Sequence, residues 1–152
     1  LFATNLAETY GPGVDWTKPK PEEMNPRVLL SSATYLKEHP NNFEARRLLT
    51  EQLLEVKNWD AAIESADAFI TLLPDYTGQG NGYTLKALAL RSKEDAAGEA
   101  AVLELLAARS AEAFQAYQRL IEVNFENGNW DGVIANAARE LAINPFTECI
   151  HY

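Results

Sequence analysis

The stretch Lys57-Asn58-Trp59-Asp60-Ala61-Ala62-Ile63, closed by Pro74, is met again as Gly128-Asn129-Trp130-Asp131-Gly132-Val133-Ile134, closed by Pro145. The two tryptophans are 71 residues apart, as are the two prolines, and a third proline, Pro40, precedes Pro74 by 34. An interval near 34 residues, taken once and then about twice, is the period of helix-turn-helix solenoids. The residues inside each copy agree with it. Aspartate directly after the aromatic suits the positive end of a starting helix, and the closing proline cannot continue the helix before it. Such an array offers a surface for binding other molecules and has no built-in chemistry.

On either side of these stretches apolar residues recur at helical spacing. Ala45, Leu48, Leu49, Leu53 and Val56 form a stripe ahead of the first tryptophan, with Asn42 as its cap, and Ala62, Ile63, Ala66, Phe69, Ile70 and Leu73 follow it. Residues 83–93 and 96–109 make a less regular pair hinged at Glu94-Asp95, after which 113–126 and 130–142 restore the first pattern. Upstream, Asn25-Pro26 pairs a capping residue with a proline at the first helical position; Val28, Leu29, Ser32, Tyr35 and Leu36 then give one stripe, ended at His39-Pro40. The spacing predicts about seven helices and no strand, with short turns that make neighbours antiparallel. The expected fold is all-α, an α-α superhelix of hairpins.

The domain organisation follows. Residues 1–25 read as an N-terminal segment and linker, because Gly11, Pro12, Gly13, Pro19 and Pro21 crowd there. Residues 26–152 read as the repeat domain, with a half unit over 26–40, units over 43–76 and 114–147, and a degenerate one over 82–109. The 71-residue interval exceeds two 34-residue units by three, and those three are expected in the Gly78-Gln79-Gly80-Asn81-Gly82 loop, a flexible connector. A first residue of Leu, and an end just past a closing proline, suggest a piece of a longer protein.

Composition narrows the function classes. The chain has 152 residues, is 47% hydrophobic and carries a net charge of −9, which disfavours nucleic acid or an anionic membrane as partner. No apolar run reaches the roughly 18 residues that span a bilayer. The single Cys149 excludes an internal disulfide, and His39 and His151 lack metal-spaced companions. The glycine loop at 78–82 lacks the Gly-Lys-Ser/Thr ending of a phosphate loop. No catalytic constellation, cofactor site or metal site is expected, and nothing assigns a compartment.

These residues resemble the tetratricopeptide repeat, a 34-residue helical hairpin with an aromatic at position 4, Leu at 7, Gly at 15, an aromatic at 17, Ala at 20 and Pro at 32. Counted from Phe114, those places hold Tyr117, Leu120, Gly128, Trp130, Val133 and Pro145; counted from Phe43, they hold Arg46, Leu49, Lys57, Trp59, Ala62 and Pro74. The resemblance covers 26–152 and implies that both tryptophans plug junctions between stacked helices. Removing either indole is then expected to cost about 3–5 kcal/mol.

The resemblance also implies a function. In that family the first helix of each unit lines a concave groove that binds another polypeptide, chiefly through positions 2, 5, 9, 12 and 13. Here those places give Arg47, Glu51, Leu54 and Glu55 in one unit and Gln118, Glu122, Phe125 and Glu126 in the other; with Gly82 as position 1 of the middle unit, Glu94 joins them. Glutamates four apart are mildly unfavourable on a helix, so their recurrence suggests an acidic groove with apolar spots, suited to a basic peptide or helix. Glu is also a good helix former on any wet face. The expectation is a non-catalytic protein-binding scaffold. The alternatives are an accessory module of a larger enzyme, since bacterial gluzincin-type metallopeptidases are similar in carrying such arrays, and a spacer that self-associates through its open ends.

Overall fold

A computed structural model describes residues 33–146 of the chain. Among them run seven helices and no strand: α1 Ala33–Glu38, α2 Phe43–Glu55, α3 Trp59–Leu72, α4 Gly82–Ser92, α5 Ala96–Arg109, α6 Phe114–Glu126 and α7 Trp130–Ile143. The all-α hairpin architecture expected from the spacing is the one observed. The linker over 1–25, the helix start at Pro26, Cys149 and His151 lie outside the described residues.

Four of the helix starts are set by short polar side chains that accept a hydrogen bond from the first turn, while Asn58 and Ala113 precede α3 and α6 without such a bond. Asn42 accepts from the Ala45 N–H at 2.9 Å, Asn81 from Thr84 at 2.9 Å, Asp95 from Gly98 at 2.8 Å and Asn129 from Gly132 at 3.2 Å. Within each hairpin the chain reverses through one left-handed residue: Lys57 at φ 60°, Glu94 at φ 61° and Gly128 at φ 68°. That conformation is natural to glycine and strained for the other two.

This shared turn corrects the middle register. Equating Glu94 with Lys57 and Gly128 makes Gly80, not Gly82, position 1, and the three extra residues precede it. Glu94 is therefore an exposed turn residue at position 15, away from the groove-facing side of a first helix. Tyr83 then falls on the aromatic position 4, and its hydroxyl donates to the Pro74 carbonyl at 2.6 Å. Tyr117 at the same place donates to the Ala107 and Ser110 carbonyls. Position 3 is small in all three units (Ala45, Gly82, Ala116) because the preceding hairpin lies against it; a Cβ on Gly82 would meet Ile70 Cγ1 at 2.7 Å. The glycine loop carries hydrogen bonds of its own. Asn81 Nδ2 donates to the Gly78 carbonyl at 2.8 Å and the Tyr76 hydroxyl to the Gln79 carbonyl at 3.0 Å.

Each helix packs on its neighbour in sequence, and α2 also reaches α4. Two clusters stand out among the buried apolar residues. Tyr83, Ala87, Leu90, Val102, Leu103, Leu106, Ala116 and Leu120 knit α4 to α6, with Ile63 and Ile70 of α3 packed against them. Tyr35, Leu36, Ala45 and Leu48 hold α1 to α2. At the α2/α3 interface the buried contact is partly polar, the Thr50 and Ser65 hydroxyls being 2.8 Å apart.

The two indoles are not equivalent, which corrects the expectation that both plug junctions. Trp59 is half-buried, whereas Trp130 is 58% exposed and touches Phe125 edge-on at 5.4 Å. The physical reason is position in the stack: α3 is followed by α4, but α7 is the last helix among the described residues. Of the other structural positions, Ala62, Tyr117 and Leu120 are buried, while Pro74, Gly128 and Pro145 are exposed.

Candidate partner-binding groove

The first helices of the units, α2, α4 and α6, supply one face of the stack. Between α4 and α6 lies a cleft of about 780 Å³, floored by Leu85, Ala87, Leu103 and Leu106 and closed at one end by the Gly78–Asn81 loop. In the corrected register its walls are positions 2, 5, 9 and 12 of α4 (Asn81, Thr84, Leu88 and Arg91) and positions 2, 5 and 9 of α6 (Gln115, Gln118 and Glu122). A helix repeats every 3.6 residues, so these places fall on one side of each cylinder.

Electrostatics organise the cleft around one buried carboxylate. Glu99 of α5 is 1% exposed and sits at position 20, where the neighbouring units have Ala62 and Val133. Arg91 Nε donates to Glu99 Oε1 at 2.7 Å; Arg119 Nε donates to the same oxygen at 2.8 Å, and its Nη2 donates to Oε2 at 3.0 Å. Burial pushes the Glu99 carboxyl up, but the hydrogen bonds from Arg119 and then Arg91 outweigh it and hold the group below the usual carboxylate range. Arg119 also donates to Glu122 at 2.7 Å, and its guanidinium is held more strongly protonated by Glu99.

A second cluster lies on α2. Arg47 bridges Glu44 and Glu51, and its hydrogen bond lowers the Glu44 carboxyl. Gly80 leans on this bridge: a Cβ there would meet Arg47 Cδ at 3.3 Å and Glu51 Oε1 at 3.7 Å.

The structure thus distributes the sequence candidates unevenly. Gln118 and Glu122 line the cleft, and Arg47 and Glu51 abut the loop that closes it. Leu54 is half-buried on α2, Glu55 is exposed at its end, and Phe125 and Glu126 are exposed at the end of α6 beside Trp130. Two of the glutamates expected to make the face acidic, Glu51 and Glu122, are ion-paired to arginines on their own helices. Sequence reasoning missed Thr84, Leu88, Arg91 and Arg119. The signal that finds the first three is Gly82-Tyr83, a small residue before an aromatic, which matches Ala116-Tyr117 and sets the register; Arg119 is found only through its contact with Glu99.

No helix among the described residues is long and apolar enough to cross a membrane. Among those residues no cluster of three His, Cys, Asp or Glu side chains is placed to hold a metal ion.

Comparison with solved structures places this arrangement in a known class. Two crystal structures of MamA superpose with TM-scores of 0.64 and 0.63, at 22% and 23% identity, over 77% and 78% of this chain. The chain matches 62% of the first of those proteins and 67% of the second. At such identity the likeness speaks for the fold, a tetratricopeptide-like helical solenoid. No family profile and no curated protein sequence matches the chain.

Proposed function

We propose that the α4/α6 cleft binds a segment of another polypeptide, one apolar side chain entering between the helices and basic side chains flanking it. The observation that carries this reading is the coincidence of the cleft walls with one periodic side of two successive first helices. Leu88 is 47% exposed in the middle of the cleft, an apolar contact open to solvent. Gln115 and Gln118 are exposed beside it, and their amides suit the donors and acceptors of a peptide backbone. Arg91 and Arg119 are already engaged by Glu99, so they favour no added carboxylate. Of the carboxylates on the cleft wall, exposed Glu112 has no ion pair among the described residues and Glu122, though paired with Arg119, has a 61% exposed side chain, which favours basic flanks.

Selection of peptides from a displayed random library on the whole chain tests this. Enriched peptides are expected to carry an apolar residue between lysines or arginines. Leu88→Asp should abolish their binding, and Glu112→Lys with Glu122→Lys should weaken it at low salt, with helical content intact. Peptides that bind the Leu88→Asp chain unchanged would defeat the proposal.

A further inference from the structure

Two arginines line the α4/α6 cleft from its two walls, Arg91 of α4 and Arg119 of α6. Both donate through Nε to one oxygen of the buried Glu99, at 2.7 and 2.8 Å, so a single carboxylate holds two positive groups side by side. Arg119 is engaged at all three nitrogens, its Nη2 on Glu99 and its Nη1 on Glu122. Arg91 is anchored at Nε alone. Its two terminal amino groups have no hydrogen-bond or ionic partner among the described residues, and its side chain is 47% exposed.

The chemistry of the cleft selects among occupants. An added anion is disfavoured, because Glu99, Glu112 and Glu122 outnumber the two arginines. An aliphatic side chain gains from the apolar floor, but it takes water from the Arg91 guanidinium and returns nothing. An aromatic ring is apolar toward the floor and carries a negative face that attracts a cation. A guanidinium is planar and weakly hydrated, so it stacks on such a face; tied in place by Glu99, it loses little freedom in doing so. The chain makes this contact twice elsewhere. Arg109 lies over Tyr83 at 5.2 Å from the ring centre, and Arg139 over Tyr117 at 5.9 Å.

We infer that the side chain taken up by the cleft is aromatic, its ring laid on the guanidinium of Arg91 with Arg119 beside it. Leu88 stands one turn before Arg91 on the same side of α4, so one ring covers both. A cleft of about 780 Å³ has room for an indole and the backbone that brings it. The inference rests on the cleft being the site of peptide binding, and it adds which apolar residue the peptide must carry.

The displayed-library selection on the whole chain gives the first reading. Enriched peptides are expected to carry phenylalanine, tyrosine or tryptophan between the basic residues. Enrichment of leucine, isoleucine or methionine instead overturns the inference and leaves the cleft as the peptide site; no enrichment, or binding that ignores Leu88→Asp, defeats both. An enriched peptide is then synthesised with phenylalanine or with cyclohexylalanine at the apolar place, and each is titrated calorimetrically into the whole chain. The saturated ring has a similar outline and is the more apolar, so burial alone favours it. Arg91 should reverse that order, phenylalanine binding about three- to tenfold tighter. In Arg91→Met the ratio should fall to one or below, whereas a purely structural effect weakens both peptides alike and leaves the ratio standing. Arg91→Lys keeps a charge beside Glu99 but lacks the flat face; it should lower the ratio too, and it serves where the methionine variant does not fold. Equal binding of the two peptides by the unaltered chain, or a ratio that survives both substitutions, overturns the inference.

Discussion

Replacing Arg119 with methionine is the sharpest probe of how the cleft is held together. The substitution removes two of the three hydrogen bonds that reach Glu99, those at 2.8 and 3.0 Å, and leaves Arg91, whose side chain is 47% exposed. Because the Glu99 side chain is 1% exposed, its charge then stays buried with one partly hydrated partner. Breaking a buried pair from one side costs about 3–5 kcal/mol; the surviving Arg91 contact puts the expectation near the lower figure, about 3 kcal/mol. At about 2–4 °C per kcal/mol for a chain of this size, the melting midpoint should fall by roughly 6–12 °C. Thermal and urea unfolding followed by circular dichroism provide the readout, with two probes compared because repeat arrays do not always unfold in one step.

Two companions make the test decisive. Glu99→Met combined with Arg119→Met removes the buried charge as well, so it should be markedly less destabilising than Arg119→Met alone. The pH dependence has a definite sign. Glu99 titrates below its unfolded value, so its contribution is complete above the unfolded carboxyl range near pH 4.3 and is lost as pH falls through the lowered value. The deficit of Arg119→Met should therefore shrink toward about pH 3, below that range. A loss under about 1 kcal/mol at neutral pH, where buried pairs are worth several, would refute the reasoning. So would a double variant less stable than the single one.

Three further outcomes are expected. Trp130→Ala should cost only about 1 kcal/mol, the worth of its edge-on contact with Phe125, and Trp59→Ala clearly more; parallel urea curves would separate them. Glu94→Gly and Lys57→Gly should each stabilise by about 0.5–1 kcal/mol by relieving a left-handed residue, whereas Gly128→Ala should destabilise by a similar amount, all read as shifts in urea midpoint. Glu140 of α7 is 2% exposed and its Oε1 has no hydrogen-bond partner among the described residues; burial raises its carboxyl, with Gln118 partly opposing. Its folded value lies above its unfolded one, so the penalty is present at neutral pH and vanishes as pH falls below the unfolded range. Glu140→Gln should accordingly stabilise near pH 7 and lose that advantage near pH 4, measured by melts at both.

The periodicity of this chain was enough to specify hairpins, turns and closing prolines, because helix length, caps and breakers act over a few residues and need no distant partner. Asn42 caps the helix that follows it, as its place in the sequence predicts, and Gly128 supplies the left-handed turn. What the chain could not announce was anything that depends on a neighbouring layer. Trp59 and Trp130 sit in nearly identical local sequence, yet one is half-buried and the other open, since among the described residues only the first has a further hairpin stacked beside it. Likewise a glutamate in the place of an alanine reads as an ordinary departure until the fold brings Arg91 and Arg119 to it from two other helices. Solvation and ion pairing are set by which helices lie side by side, and that is a property of the assembled stack.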